Sequence, residues 1–176
     1  HWNHPQLRYS GKDLPAKELA LQINFPLVVE KSLVPKSLRK VARDQGKPIL
    51  IYEGGEANHL DPYIVANGLH LIRSILSGYK MIDAPPMTPV VKRIFKKTMW
   101  ERAHEGGIVV YRREAGSWVT KGELLAVISD PFAQRELRMH ASRDAYLLSH
   151  NNAPIVNVGD GMFHLAFEEE QYVSLH

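Results

Sequence analysis

Cysteine is absent from this sequence of 176 residues, so the chain forms no disulfide and offers no thiolate to a metal ion. No apolar run approaches the roughly 18 residues that a membrane-spanning helix needs. The absence of cysteine fits a reducing compartment. We therefore expect a cytoplasmic protein that has no membrane partner.

Basic residues are in slight excess, with a net charge of +3, but the excess is local. Four of the cations fall in the run KRIFKK at 92–97. A basic run with aromatic interleaving occurs in nucleic-acid-binding proteins, but no recognisable binding motif accompanies this one. We interpret it as a solvated strand or linker face and predict that nucleic acid is not a partner.

The first half of the sequence predicts an α/β fold. Asp13 and Pro15 are typical of a helix start, and Gly46 is typical of a helix end. The predicted order is a helix at 14–23, a strand at 27–30, a helix at 35–45, a strand at 49–52 and a helix at 62–78. A strand–helix–strand unit with short loops favours parallel strands that are buried on both faces.

The second half predicts a small all-β domain. The turn sequence that begins at Val119 and contains Gly122 recurs 37 residues later, at Val156 with Gly159. Two copies of such a turn, each leading into an apolar strand, resemble the barrel-sandwich module of biotinyl and lipoyl carriers. A carrier needs a lysine on an exposed hairpin, and no lysine follows Lys121. Arg138 stands in the nearest similar segment and cannot be acylated in that way, so a swinging-arm carrier is not expected.

A stretch rich in proline separates the two halves, with three prolines in residues 83–89. We predict a C-terminal part of a catalytic α/β domain at 1–82, a Pro-rich and basic linker at 83–98 and a β barrel-sandwich domain at 99–176.

Glu53 is the first candidate for chemistry, because it follows a predicted buried strand in PILIYEGGE at 48–56. Ligands of parallel α/β sheets bind beyond the carboxyl ends of the strands. A carboxylate there suits proton transfer, and Gly54 and Gly55 allow a sharp turn and close approach of a substrate. The alternative is a turn glutamate followed by two ordinary turn glycines.

Five segments of the chain resemble, in order, the succinylglutamate desuccinylase/aspartoacylase family, whose catalytic domain is similar to zinc carboxypeptidases. They are NHPQLR at 3–8, GKPILIYEGGE at 46–56, MWERAHEGGIVV at 99–110, SWVTKGELLAVISDPF at 117–132 and NAPIVNVGDGMFHLA at 152–166. The resemblance implies a carboxypeptidase-like mixed sheet flanked by helices, followed by an appended β module.

The resemblance also implies a metal-dependent amidohydrolase that cleaves an N-acyl amino acid or similar small amide. Two histidines and a glutamate would hold one zinc ion. By the motif, Glu53 would act as general base and then general acid, and the two glycines would make room for water and substrate. A non-catalytic module for binding or oligomerisation is the alternative, and the sequence allows a homo-oligomer.

The ligand motif of the family, H-x-x-E, is missing from this chain. We therefore expect the zinc ligands upstream of residue 1 and no metal ligand within the chain. Two alternative hypotheses place metal ligands within the chain: His1 or His4 as the third ligand, or Glu56 with His59 as a metal pair.

Three residues are candidates for substrate binding. Arg43 lies ten residues before Glu53, a spacing at which similar enzymes carry a carboxylate-binding arginine, although a solvated arginine near a helix end is an equal alternative. Asn3 and Arg8 are candidates for lining the pocket, or else for positioning the first loop.

Overall fold

The computed structural model describes residues 1–83, 90–132 and 134–173. The chain divides into two compact units. The α/β unit comprises Pro5–Gly54, His59–Lys97 and the chain from Glu168 onwards, and the β unit comprises His1–His4, Gly55–Asn58 and Thr98–Phe167. No helix in the described ranges is long and apolar enough to cross a membrane.

The α/β unit contains the three helices and all or part of five strands. The helices are α1 (Leu14–Gln22), α2 (Leu38–Asp44) and α3 (Pro62–Gly78). The strands are β1 (Trp2–Tyr9), β2 (Leu27–Glu30), β3 (Ile51–Gly55), β4 (Val91–Arg102) and β11 (Gly161–Val173). They lie side by side in the order β3-β1-β2-β4-β11. Strand β2 is parallel to both β1 and β4. The two strands of the predicted strand–helix–strand unit, β2 and β3, are not neighbours, because β1 lies between them.

Helix starts follow the local signals in the sequence. The Asp13 carboxylate accepts the Ala16 N–H at 3.2 Å, and the Asp61 carboxylate accepts the Tyr63 N–H at 2.8 Å. Each cap is followed by a proline in the first turn, where the missing N–H costs nothing. Helix α2 begins at Leu38, three residues after the predicted start at residue 35.

The sequence predicted no element for residues 2–9, which form strand β1 between β2 and β3. The strand carries Pro5 and polar residues, which weaken any strand signal. It becomes a strand because Leu7 and Tyr9 are buried in the core beneath α1 and α3. Strand β3 also differs from the prediction, because it continues through Glu53 to Gly55.

The β unit contains the remaining strands and parts of β1, β4 and β11. The remaining strands are β5 (Gly107–Tyr111), β6 (Trp118–Val119), β7 (Leu124–Ser129), β8 (Glu136–His140), β9 (Ala145–His150) and β10 (Ile155–Val156). Strands β10, β5, β7 and β8 form an antiparallel sheet in that order. Strand β9 pairs antiparallel with β1, β6 and β11. The buried side chains of these strands form one core around Leu125, Leu147 and Phe163.

The repeated turn is confirmed in both copies. Gly122 and Gly159 have φ of +85° and +88°, which only glycine adopts without strain. In each copy the following acidic side chain accepts the backbone N–H three residues before it: Glu123 accepts from Thr120 at 2.9 Å, and Asp160 from Asn157 at 2.8 Å. The two turns are therefore built in the same way.

Part of the predicted linker is a strand. Residues 84–89, the greater part of the proline-rich stretch, lie outside the described residues, and 91–98 begin β4. The cations of the basic run face acidic residues of β11: Arg93 contacts Glu169 at 3.0 Å, Lys97 contacts Glu168 at 2.6 Å, and Lys96 contacts Glu170. These pairs offset the local excess of positive charge.

Lys92 is the exception in the basic run, because its side chain is buried in the α/β unit. Its ammonium donates to the Leu21 carbonyl near the end of α1 and lies 5.6 Å from the centre of the Tyr172 ring. A cation at this end of a helix is favourable to the helix dipole. Burial nevertheless lowers the pKa of Lys92 to about 8.

We expect the free energy of unfolding to rise between about pH 8 and 9.5 because of Lys92. In this range the unfolded lysine keeps a proton that the folded one loses, so the slope has a positive sign and reaches up to about 1.4 kcal/mol per pH unit. Urea unfolding at a series of pH values measures it. The rise should be clearly smaller in Lys92→Met and unchanged in the exposed control Lys47→Met. An equal slope in all three proteins would contradict the assignment.

Candidate active site

Glu53 lies on β3 and forms an ion pair with Arg8 on the adjacent strand β1. The distance from Arg8 Nη2 to Glu53 Oε2 is 2.8 Å, and the side chains are 14% and 34% exposed, respectively. The arginine fixes the direction of the carboxylate, while a third of the glutamate side chain stays accessible to a water molecule. Sequence reasoning named both residues but did not predict that they pair.

The glycines after Glu53 have a local structural reason. A Cβ on Gly54 would lie 2.9 Å from Ile64 Cγ2 and 2.9 Å from Tyr52 Oη, so a larger residue would push α3 away from β3. Gly55 has a φ of +70°, which favours glycine. The sharp turn expected at this point is confirmed, whereas room for a substrate remains a prediction.

Two further cations lie close to the ion pair, namely Lys31 after β2 and Arg39 on α2. Burial, followed by the neighbouring Arg8, lowers the pKa of Lys31, while Glu53 raises it. Burial also lowers the pKa of Arg8, with Glu53 opposing and Arg39 adding to the effect. Among the described residues, Arg8 Nε and Arg39 Nη1 are buried donors without a hydrogen-bond partner.

Sequence reasoning missed Lys31 and Arg39. Arg39 precedes Arg43 by four residues, the spacing of side chains on one helix face, and this signal was available in the sequence. Lys31 is brought close by the parallel pairing of β1 with β2, which only the fold provides.

A cavity of about 280 Å³ opens beside this group, at the carboxyl ends of β1 and β2. Its lining contains four cations and one carboxylate: Lys12, Lys31, Lys40, Arg43 and Glu30. Tyr9 Oη donates to Glu30 at 3.0 Å, which holds that carboxylate at the cavity wall. Lys31 belongs both to this lining and to the surroundings of Glu53, and the lining carries an excess of positive charge.

Asn3 belongs to the β unit, where its side-chain amide donates to the Gly55 carbonyl at 3.3 Å. This contact supports the turn after Glu53. A role of Asn3 in substrate binding remains a prediction.

The residues that the structure describes do not fit the zinc site that the resemblance implies. Across the described ranges, no three or more side chains of His, Cys, Asp or Glu form a group able to hold a metal ion. The nitrogen His1 Nε2 lies 2.9 Å from the Gly161 carbonyl oxygen, His4 contacts the Tyr146 ring at 5.9 Å, and Glu56 accepts a hydrogen bond from Asn152. These neighbours account for the three residues without a metal.

No family model matches the sequence. No curated protein matches it either.

Solved structures do share the fold. A succinylglutamate desuccinylase from Silicibacter sp. TM1040 superposes with a TM-score of 0.78 at 14% identity, over 94% of this chain and 54% of its own. The product-bound ectoine utilization protein EutE (DoeB) from Ruegeria pomeroyi gives 0.78 at 16% identity, over 94% and 54%. A succinylglutamate desuccinylase/aspartoacylase from Rhodobacter sphaeroides gives 0.78 at 18% identity, over 97% and 55%.

The chain thus spans about half the length of the solved structures that it matches. Over that half the likeness covers 94–97% of this chain. The chain has the mixed α/β fold of the succinylglutamate desuccinylase/aspartoacylase family proteins, as the five sequence segments predicted.

Proposed function

We propose that the protein is a deacylase-type hydrolase that cleaves the amide bond of an N-acyl amino acid or a similar small amide. The observation that supports this most is the placement of Glu53, which is partly exposed, held by Arg8 and close to Lys31, a cation that lines a cavity with excess positive charge. The structures that share the fold carry desuccinylase and aspartoacylase names, and they do not favour a purely non-catalytic module.

In this proposal Glu53 moves the proton of the reaction. Its free carboxylate oxygen accepts a proton from water as the water oxygen bonds to the amide carbon. The same proton then passes to the nitrogen as the carbon–nitrogen bond breaks, which yields a carboxylic acid and an amine. Arg8 Nη2 contacts Glu53 Oε2 at 2.8 Å and so keeps the direction of the carboxylate fixed during both steps. The other carboxylate oxygen remains available for the proton.

The cations around Glu53 would hold the substrate by its carboxylate. Arg39 Nη1 and Arg8 Nε are buried donors in need of an acceptor, and a substrate oxygen can satisfy such a donor. Arg43, on the cavity wall, suits a second carboxylate oxygen.

A zinc ion, one per protein, remains part of the proposal, with ligands from outside this chain. We expect the 176-residue chain to bind no stoichiometric zinc and the full-length protein to bind one equivalent. Metal analysis after dialysis against trace zinc measures both. Tight binding by the chain alone would place the ligands within it, and a metal-free full-length protein would refute the zinc proposal.

The reaction itself is tested with the full-length protein. Release of free amine from a panel of N-acetyl and N-succinyl amino acids should be detectable, and amides without a carboxylate should be poor substrates because nothing would engage the cations. Hydrolysis that is indifferent to the substrate carboxylate would contradict the assigned binding group.

The remaining parts of the proposal concern the type of the β unit, the cellular location and the partners. The β unit would be a barrel-sandwich module of the biotinyl and lipoyl type. The protein would act in the cytoplasm on small molecules, as a monomer or a homo-oligomer, without nucleic acid.

A further inference from the structure

A second cavity lies entirely within the β unit. It measures about 240 Å³ and is lined by Trp2, Glu114, Ala115, His150 and Asn152. Trp2 and His150 are opposite each other on β1 and β9, and their ring centres are 6.0 Å apart with a tilt of 35°. We call this the Trp2 pocket.

Two glutamates lie close to the Trp2 pocket. Glu114 belongs to its lining, and the side-chain amide of Asn152 donates to the carboxylate of Glu56. Both glutamates act on His150 in the direction that raises its pKa, and the terminal amine of His1 acts in the opposite direction, so the carboxylates are close enough to affect a charge in the pocket. The described lining contains no lysine and no arginine.

The rings of the pocket are uncharged at neutral pH. His150 Nδ1 accepts the Ala115 N–H at 3.0 Å, so the neutral ring carries its proton on Nε2. Burial lowers the pKa of His150, and it also lowers the pKa of His4, whose ring centre is 6.1 Å from that of Trp2. Uncharged aromatic faces attract cations, and tryptophan does so best.

We propose that the Trp2 pocket binds a small organic cation, an ammonium group on a short carbon chain. The aromatic rings attract both the carbon chain and the ammonium group, and Glu114 and Glu56 supply the opposite charge. A volume of about 240 Å³ accommodates an alkyl group and is far larger than a bare metal ion needs. This site belongs to the β unit and does not depend on Glu53 being catalytic.

The test is a titration of the full-length protein with n-butylammonium chloride, monitored by ligand-observed NMR. A parallel titration with sodium chloride at the same concentrations controls for ionic strength. We expect saturable binding in the millimolar range for the ammonium compound and none for sodium butyrate, an anion of the same chain length. Glu114→Gln should weaken binding about three- to fivefold. Trp2→Leu should weaken it further, because the ring contact is lost.

Two matched controls locate the binding. Glu136→Gln, on β8 and exposed, and Glu53→Gln should leave the affinity unchanged. Absence of saturable binding, equal affinity in Glu114→Gln, preference for butyrate, or loss of binding in Glu53→Gln would each overturn the proposal. The last result would place the cation in the candidate active site.

Discussion

Glu53→Gln is expected to lower the rate of amide hydrolysis by the full-length protein about 10²–10⁴-fold. Glutamine keeps the size of the side chain but cannot accept the proton from water, and general acid–base catalysis typically contributes that factor. The substitution also removes the charge that pairs with Arg8, and a variant of Arg8 serves as the control for that loss. Steady-state kinetics on the best N-acyl substrate measures the effect, which should appear in kcat and not in KM.

Two controls separate catalysis from structure. Glu18→Gln, an exposed change on α1, should retain full activity. Arg8→Gln breaks the same ion pair as Glu53→Gln and leaves the carboxylate in place. If the pair is only structural, both variants should lose activity and thermal stability to the same extent. If Glu53 moves the proton, Glu53→Gln should lose far more activity at a similar melting temperature. Hydrolysis by Glu53→Gln within tenfold of the unmodified protein would refute the role.

Phe163→Ala is expected to destabilise the β unit by about 3–5 kcal/mol, the usual cost of emptying a buried aromatic site. Phe163 is fully buried on β11 and meets the Tyr111 ring edge-on at a centroid distance of 5.9 Å. Phe163 belongs to a core shared by the four-stranded sheet and by β9. Side chains held from several strands move little, so they fill little of the cavity that the substitution leaves. Urea unfolding measures the loss.

Phe132→Ala is the matched control, because that side chain is 81% exposed in the turn before β8. Its effect should stay within about 0.5 kcal/mol, as for most surface substitutions. A loss below about 1 kcal/mol for Phe163→Ala would show that the β core tolerates the cavity. It would then contradict the packing described above.

Local signals predicted most of the regular structure. Caps at Asp13 and Asp61, each followed by proline, marked two helix starts correctly because capping is a contact between residues two or three apart. The apolar run at 27–30 predicted β2 with its bounds. Strand β1 was missed for the opposite reason: its residues become a strand by pairing with β2 and β3, which lie far away in sequence.

The candidate site was predicted in part. Glu53 stood out because a carboxylate between a buried strand and two glycines is a local pattern. Arg39 and Lys31 did not stand out, since each is an ordinary surface-type residue in its own segment. Their closeness to Arg8 depends on the order of β3, β1 and β2 and on the position of α2.

The sequence by itself determined the features that arise within a few residues: the helix caps, the two repeated glycine turns, and a carboxylate placed near the end of an apolar strand. Only the tertiary structure decided that Arg8 and Glu53, 45 residues apart, form an ion pair, that cations from three segments line one cavity, and that Lys92 is buried while its neighbours pair with β11. The reason is that capping and turn energies depend on short-range backbone geometry. The partners of a charged side chain depend instead on strand order and burial, which arise only when the whole chain packs.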